Sequence, residues 1–259
     1  MEIFYRLLKY KDLFLVFIWR EFSIRYKQSL IGLLWAILQP VSMMLLFTLV
    51  FTYAMPIKVS SYPYPLFFYS ALLPWNLFSS SLNYAIPSLS NHYSLITKIY
   101  FPREIIPLAG VAVAFIDFLI AFSFLLFLFF YYHCPFNLSI IWIIPLLCML
   151  LIFASAISLI LASLNVYYRD VKLATGFIIQ LWFFATPVIY SIDKLPPKLK
   201  LIAYLNPMSF IVENARRCLI EGKGVIWWQY LIMLAFVVIV FQVCYRIFLI
   251  MEKRFADVI

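Results

Sequence analysis

Asp117 is the only charged residue between Ile105 and Tyr168. A carboxyl at the centre of a membrane helix costs about 2.5–3.5 kcal/mol on insertion scales, so it must face protein or water. Two roles are open to it: a proton site in a coupled carrier, or a packing residue held by hydrogen bonds. Proton-coupled carriers generally need a relay, and no Lys, Arg or second acid lies deep in another uncharged run, so packing is the expected role. The remaining chemistry is thin. His92 and His133 have no acidic or cysteine neighbours at ligand spacing, and Cys134, Cys148, Cys218 and Cys244 form no CxxC pair, so no metal is expected. A phosphate-binding GxxxxGK[ST] is absent from a chain with only five glycines, as are GxSxG and HExxH, so hydrolysis of ATP by this chain is not expected. Ser155, Ser158 and Ser163 are small residues suited to close helix packing.

Aromatic residues are the positive signal. The sequence holds 27 Phe, 18 Tyr and 7 Trp. Many would form interfacial belts, but Trp35, Phe47, Phe51 and Tyr53 sit in one apolar run and Trp182, Phe183, Phe184 and Tyr190 in another. Aromatic faces stack on the C–H surfaces of sugars with little regard to which sugar is presented. Such rings could line a glycan path; a plain packing stripe is the competing explanation.

The elements that would carry these residues follow from composition. Of 259 residues, 66% are hydrophobic and only 12% charged, against roughly a quarter charged in soluble domains. A soluble enzyme and a disordered chain are both excluded, which leaves an all-α polytopic membrane protein. A span needs about 20 apolar residues. Runs free of charge, or with Asp117 alone, divide into six: 30–55, 66–88, 105–132, 139–164, 173–192 and 225–245, with His133 to Asn137 as the turn between the third and fourth. The whole chain, 1–259, reads as a single transmembrane domain. The net charge of +9 belongs to loops facing anionic lipid rather than to nucleic acid. With the N-terminus inside, thirteen Lys and Arg fall on the cytoplasmic side and seven outside, so both termini are expected in the cytoplasm.

Three segments do not span. Residues 1–28 place Glu2, Arg6, Lys9, Asp12, Arg20 and Lys27 on one arc, with seven apolar residues from Leu13 to Trp19, which predicts an amphipathic helix in the interface. Residues 89–103, closed by Pro102, are polar enough to leave the membrane, either as a short docking helix or as a plain connector. The Asn165–Val171 connector is a second candidate contact. Residues 195–222 are punctuated by Pro196-Pro197 and Asn206-Pro207. They predict two short helices, the second with Glu213, Arg216, Arg217 and Glu221 at pairing distance and Phe210, Ile211, Ala215 and Cys218 on its other face. A re-entrant pair on the outer side is favoured over a surface loop.

Several motifs in order resemble the membrane subunit of polysaccharide ABC exporters of the O-antigen, teichoic acid and capsule type. They are Arg20-Glu21 and Arg25-Tyr26, the run Gly32 to Pro40 (GLLWAILQP), Tyr167-Tyr168-Arg169-Asp170, Thr186 to Tyr190 (TPVIY), Leu205-Asn206-Pro207-Met208, and Glu252 to Ile259 (EKRFADVI). The closing FADVI is most similar to the O-antigen branch. The resemblance implies a multi-pass protein of the bacterial inner membrane, working as a homodimer whose path between copies is lined by spans one and five. It implies two copies of a separate ATPase chain that carry the ATP and Mg, no cofactor in this chain, and a lipid-linked polysaccharide as substrate. Coupling to the ATPase would fall to Ser90, Asn91, His92, Tyr93, Lys98, Arg103, Arg169 and Asp170. Outer gate helices would carry Pro196, Asn206, Pro207, Met208, Glu213, Arg216 and Arg217. Two other classes remain beside this one: a proton-coupled carrier using Asp117, and a membrane enzyme of lipid-linked sugar assembly, which would need paired acids or histidines that the sequence does not place together.

Overall fold

The computed structural model describes residues 2–27, 29–54, 62–99, 101–135 and 137–255, with the side chains of residues 2–5, 53, 54 and 201 outside that set. Among the described residues every regular element is helical. The helices are α1 (Glu2–Lys9), α2 (Lys11–Tyr26), α3 (Trp35–Leu49), α4 (Tyr64–Ala85), α5 (Ser88–Asn91), α6 (Tyr93–Lys98), α7 (Ile105–Tyr131), α8 (Ile143–Tyr167), α9 (Asp170–Ala185), α10 (Pro197–Leu205), α11 (Pro207–Arg216) and α12 (Trp227–Glu252). Four stretches are long and apolar enough to cross a membrane: Gly32–Thr52, Ile105–Tyr131, Leu138–Tyr167 and Trp227–Glu252. α4 has 22 residues, but its polar side chains set it apart from those four. α9 has only 16.

The centre of the molecule is α4. Pro63 and Pro65 occupy its first turn, where a missing N–H costs nothing. α4 packs along α7 and α8, while α3 and α11 cover its other sides. Gly110 of α7 allows the close approach, since a Cβ there would lie 3.1 Å from the backbone of Tyr84 and Ala85. α12 packs along α8 and α2 along α7. Ser158 and Ser163 are buried within these contacts, as their size suits.

The two ends of the bundle differ. At one, Phe17, Leu89, Ile96, Phe101, Phe248 and Phe255 share a cluster that ties the N-terminal helices, α5, α6 and the end of α12 together. There the buried Glu104 carboxylate accepts from Arg6 and from Tyr245, each at 3.4 Å. At the other end His133 turns the chain with φ +50°, Trp142 meets Trp227 edge-on at 4.5 Å, and the Ser139 hydroxyl donates to the Gly222 carbonyl. Gly222 has φ +65°, and a Cβ would sit 2.2 Å from Nδ2 of Asn137. A left-handed backbone costs an L-residue roughly 1–2 kcal/mol. Gly222→Val is therefore expected to lower the melting temperature of the purified protein by roughly 2–8 °C; an unchanged melting curve would show that this turn bears no strain.

Several expected boundaries shift, each for a local reason. Residues 89–103 form two short helices, because the chain breaks at His92 with φ −107° and ψ 24°. The N-terminal segment also divides, at Tyr10. Its second helix has no single polar arc: Leu15, Val16, Trp19 and Ile24 are exposed beside Lys11, Asp12 and Arg20, while Phe17 is buried against Phe101. α9 begins at Asp170 and ends at Ala185, earlier than the expected 192, because Thr186-Pro187 leaves helical geometry. α12 continues to Glu252 rather than stopping at 245.

Candidate functional site

Four of the eight coupling candidates, Ser90, Asn91, Tyr93 and Arg169, line an open groove at the end that holds both N-terminal helices. Pro87, Ser90, Asn91, Tyr93, Asn165, Arg169 and Lys172 line it, over an open volume of about 1270 Å³. The side-chain amide of Asn165, in the last turn of α8, donates to the Ser90 hydroxyl at 3.2 Å, so the α4–α7 segment and the end of α8 are fastened together. Ser90, Asn91, Tyr93 and Arg169 are exposed there, and Asp170 is exposed beside Arg169 without lining the groove. His92 is not: it is buried, its Nδ1 donates to the Ser88 carbonyl at 2.7 Å, and its Nε2 lies 3.5 Å from a Glu21 carboxylate oxygen on α2. Lys98 is exposed away from the groove. Arg103 is also elsewhere, with its backbone N–H donating to the Glu252 carboxylate at 3.1 Å and its guanidinium to the Glu252 carbonyl.

A second, polar recess surrounds Asp117. Arg6 of α1 meets Glu104 at the start of α7, and α2 then climbs along α7 until, twenty residues later, Tyr26 reaches Asp117. The Tyr26 hydroxyl donates to Asp117 Oδ1 at 2.6 Å and the Tyr84 hydroxyl to Oδ2 at 2.9 Å. The Arg25 guanidinium stacks 3.2 Å over the Tyr84 ring. Gln39 of α3 and Asn76, Ser79, Ser80 and Asn83 of α4 complete the wall, with Trp35 at the mouth.

A third junction lies where α9 breaks. Asn206 Oδ1 accepts from the Met208 N–H and from the Trp182 indole, both at 3.0 Å, and its Nδ2 donates to the Thr186 hydroxyl at 3.1 Å. Asn206 thus caps α11, with Pro207 in the first turn, and pins that helix to α9. Arg216 is 2% exposed. Its guanidinium donates to the Pro187 carbonyl at 2.7 Å and the Val188 carbonyl at 3.1 Å, pairs with Glu213 at 2.9 Å, and lies 3.7 Å over the Phe67 ring. The pairing expected of Arg216 with Glu213 thus forms, from a buried position. Burial lowers the guanidinium to about 10, which still leaves it charged at neutral pH.

The profile of the ABC-2 type transporter family matches residues 12–220. The chain belongs to that family. An O-antigen export system permease protein of Klebsiella pneumoniae is 29% identical over 250 residues, 96% of this chain and 95% of the relative. A second from the same organism is 31% identical, covering 82% of this chain and 81% of its own length. One from Myxococcus xanthus is 30% identical over 84% of each chain.

In this ABC-2 chain the aromatic candidates divide. Phe47, Phe51 and Phe183 pack into the protomer: Phe47 lies 4.9 Å from Phe68 and 6.5 Å from Phe183, and Phe51 lies 5.4 Å from Tyr64. Phe183 is only 6% exposed, while Phe184 beside it is 57% exposed and Trp35 51%. Trp182 is half-buried against Phe78 at 5.1 Å, and the Tyr190 hydroxyl donates to the Phe184 carbonyl at 3.0 Å. The side chain of Tyr53 lies outside the described residues. Among the gate candidates, Pro207 and Met208 are buried with α11, Glu213 and Arg217 are partly buried, and Pro196 is exposed beside α10. Sequence reasoning missed the polar recess. Its signal was available, because Asn76, Ser79, Ser80 and Asn83 recur at i, i+3, i+4 and i+7 on one helical face.

Proposed function

We propose that this chain is the membrane-embedded permease of an ATP-driven exporter that moves a lipid-linked polysaccharide of O-antigen type across the bacterial inner membrane. The observation that carries this reading is similarity along 96% of the chain to a protein named for O-antigen export. The relatives' names favour O-antigen over capsule or teichoic acid as cargo. In this reading residues 1–259 make one transmembrane domain with six crossings, α4 and α9 joining the four long apolar stretches, and both termini in the cytoplasm. α10 and α11 are outer gate helices.

ATP and Mg belong to a partner ATPase, two copies of which press on the groove formed by Ser90, Asn91, Tyr93 and Arg169. α3 and α9 expose long apolar faces, including Leu45, Leu46, Leu49, Leu173, Phe177 and Leu181. Lipid or a second copy of the chain must cover such surfaces, which supports a homodimer with the glycan path between copies. Trp35 and Phe184 are the exposed rings best suited to meet it.

Purification of the complex from its native membrane should yield a co-eluting ATPase, and deletion of the gene should trap lipid-linked glycan on the cytoplasmic side. Isolation of an active transporter free of any ATPase would overturn the reading. Among the described residues, Asn165→Ala removes the one side-chain hydrogen bond that joins the two sides of the groove. Losing about 1 kcal/mol of hydrogen bonding corresponds to roughly a fivefold change in an equilibrium. Glycan exported per ATP hydrolysed is therefore expected to fall about fivefold while ATP hydrolysis persists. Equal export by the variant would show that the groove moves without this link.

A further inference from the structure

We propose that the recess around Asp117 binds a saccharide unit of the exported glycan, an inference that rests on the exporter reading above. The argument starts from depth. Asp117 lies 12 residues beyond Ile105 on α7, roughly 18 Å along the helix axis. Polar groups at such depth in a membrane bundle face protein or a water-filled cavity and mark substrate paths. Here they face a recess of about 310 Å³, at the small end of the roughly 300–1,000 Å³ of small-molecule sites and matched to a single ring rather than a long chain.

The lining chemistry selects the ligand. Asp117 accepts a bond from a tyrosine on each oxygen, which fixes the carboxylate and leaves each oxygen a further lone pair. The side-chain amides of Gln39, Asn76 and Asn83 make no hydrogen bond within the described residues. Each amide offers two donors and an acceptor in one plane, the pattern that grips adjacent hydroxyls on a sugar ring. The Arg25 guanidinium is fixed by stacking on Tyr84, and its Nε is buried without a hydrogen-bond partner. Trp35, half exposed at the mouth, offers a face for the C–H side of the ring.

Charge argues against a phosphate ligand. Among the described residues, Arg25 and Asp117 are the only formal charges in the lining, and they cancel. A diphosphate would bring at least two negative charges to a site with no net positive charge to meet them. A neutral, hydroxyl-rich ring needs mixed donors and acceptors with an aromatic wall, and these are what the recess supplies. None of the lining residues belongs to the ATPase-facing groove, so the two sites can fail separately.

The test uses the full chain in lipid nanodiscs with its co-purified partner, labelled with 5-fluorotryptophan. The 19F signal of Trp35 is assigned by its loss in Trp35→Phe. Probes are hexyl glycosides of glucose, galactose and N-acetylglucosamine, and hexyl diphosphate. At least one glycoside should shift the Trp35 signal saturably, and hexyl diphosphate should not. Asn76→Ala, Asn83→Ala and Asp117→Asn should each weaken that binding at least tenfold, while the Trp182 signal, outside the recess, keeps its position and reports an intact fold. No shift with any glycoside, equal binding of hexyl diphosphate, or wild-type affinity in all three variants with the Trp182 signal preserved would overturn the proposal. If the ATPase co-elutes but no glycoside binds, the saccharide site falls and the exporter reading stands. If glycosides bind in a transporter that works without an ATPase, the reverse holds.

Discussion

Arg216→Met is expected to cost the protein a large share of its stability. The guanidinium is buried and serves three acceptors, the Pro187 and Val188 carbonyls and the Glu213 carboxylate. Methionine fills much of the volume over the Phe67 ring but satisfies none of them. Removing one partner of a buried pair costs about 3–5 kcal/mol, against a total of about 5–15 kcal/mol for a typical domain. The variant should therefore melt at least 6 °C lower or fail to accumulate in the membrane. Arg216→Lys keeps the charge but loses the fork that spans two carbonyls, so it should fall between. Adding Glu213→Leu to Arg216→Met removes the stranded carboxylate and should recover part of the loss. Wild-type melting of Arg216→Met would show that the α9 break is held by other contacts.

Arg216 also shows where the sequence stops being legible. Its spacing from Glu213 was readable and the ion pair forms. Its burial was not, because the acceptors belong to a break in another helix. Thr186-Pro187 interrupts α9 and frees backbone carbonyls, and a distant side chain must satisfy them. By contrast, α7 and α8 could be placed within a few residues, since nothing but Asp117 is charged between Ile105 and Tyr168 and the turn-forming His133 to Asn137 divides that run. The groove was half legible. Polarity marked Ser90 to Tyr93 and the Asn165 connector as separate contacts, but the Asn165–Ser90 bond that makes them one surface is a tertiary fact. The recess was hidden differently. Averaging hydropathy along α4 dilutes a stripe of four polar residues in an apolar background, and no local pattern says that α2 will climb α7 to bring Arg25 and Tyr26 to Asp117.

That climb sets up the second large effect. Tyr26→Phe/Tyr84→Phe is expected to destabilise the protein by about 3 kcal/mol or more, since a hydrogen bond to a charged group is worth about 1.5–3 kcal/mol and two are lost. The 2.6 Å bond from Tyr26 has the length of a hydroxyl donating to a carboxylate. Burial, and then the bond to Asp117, hold the Tyr26 hydroxyl above its ordinary range, so it keeps its proton and remains a donor at any physiological pH. The double variant should melt roughly 6–12 °C lower, and either single change should give about half of that. Adding Asp117→Leu should restore most of the loss, because an apolar trio leaves no carboxylate without donors. If the double variant melts like the wild type, the tyrosines do not hold Asp117. The triple variant separates folding from transport: it should melt near the wild-type temperature yet export no glycan, because the anchor for the sugar is gone. Wild-type export by a folded triple variant would reduce Asp117 to a packing residue and leave the recess without its ligand.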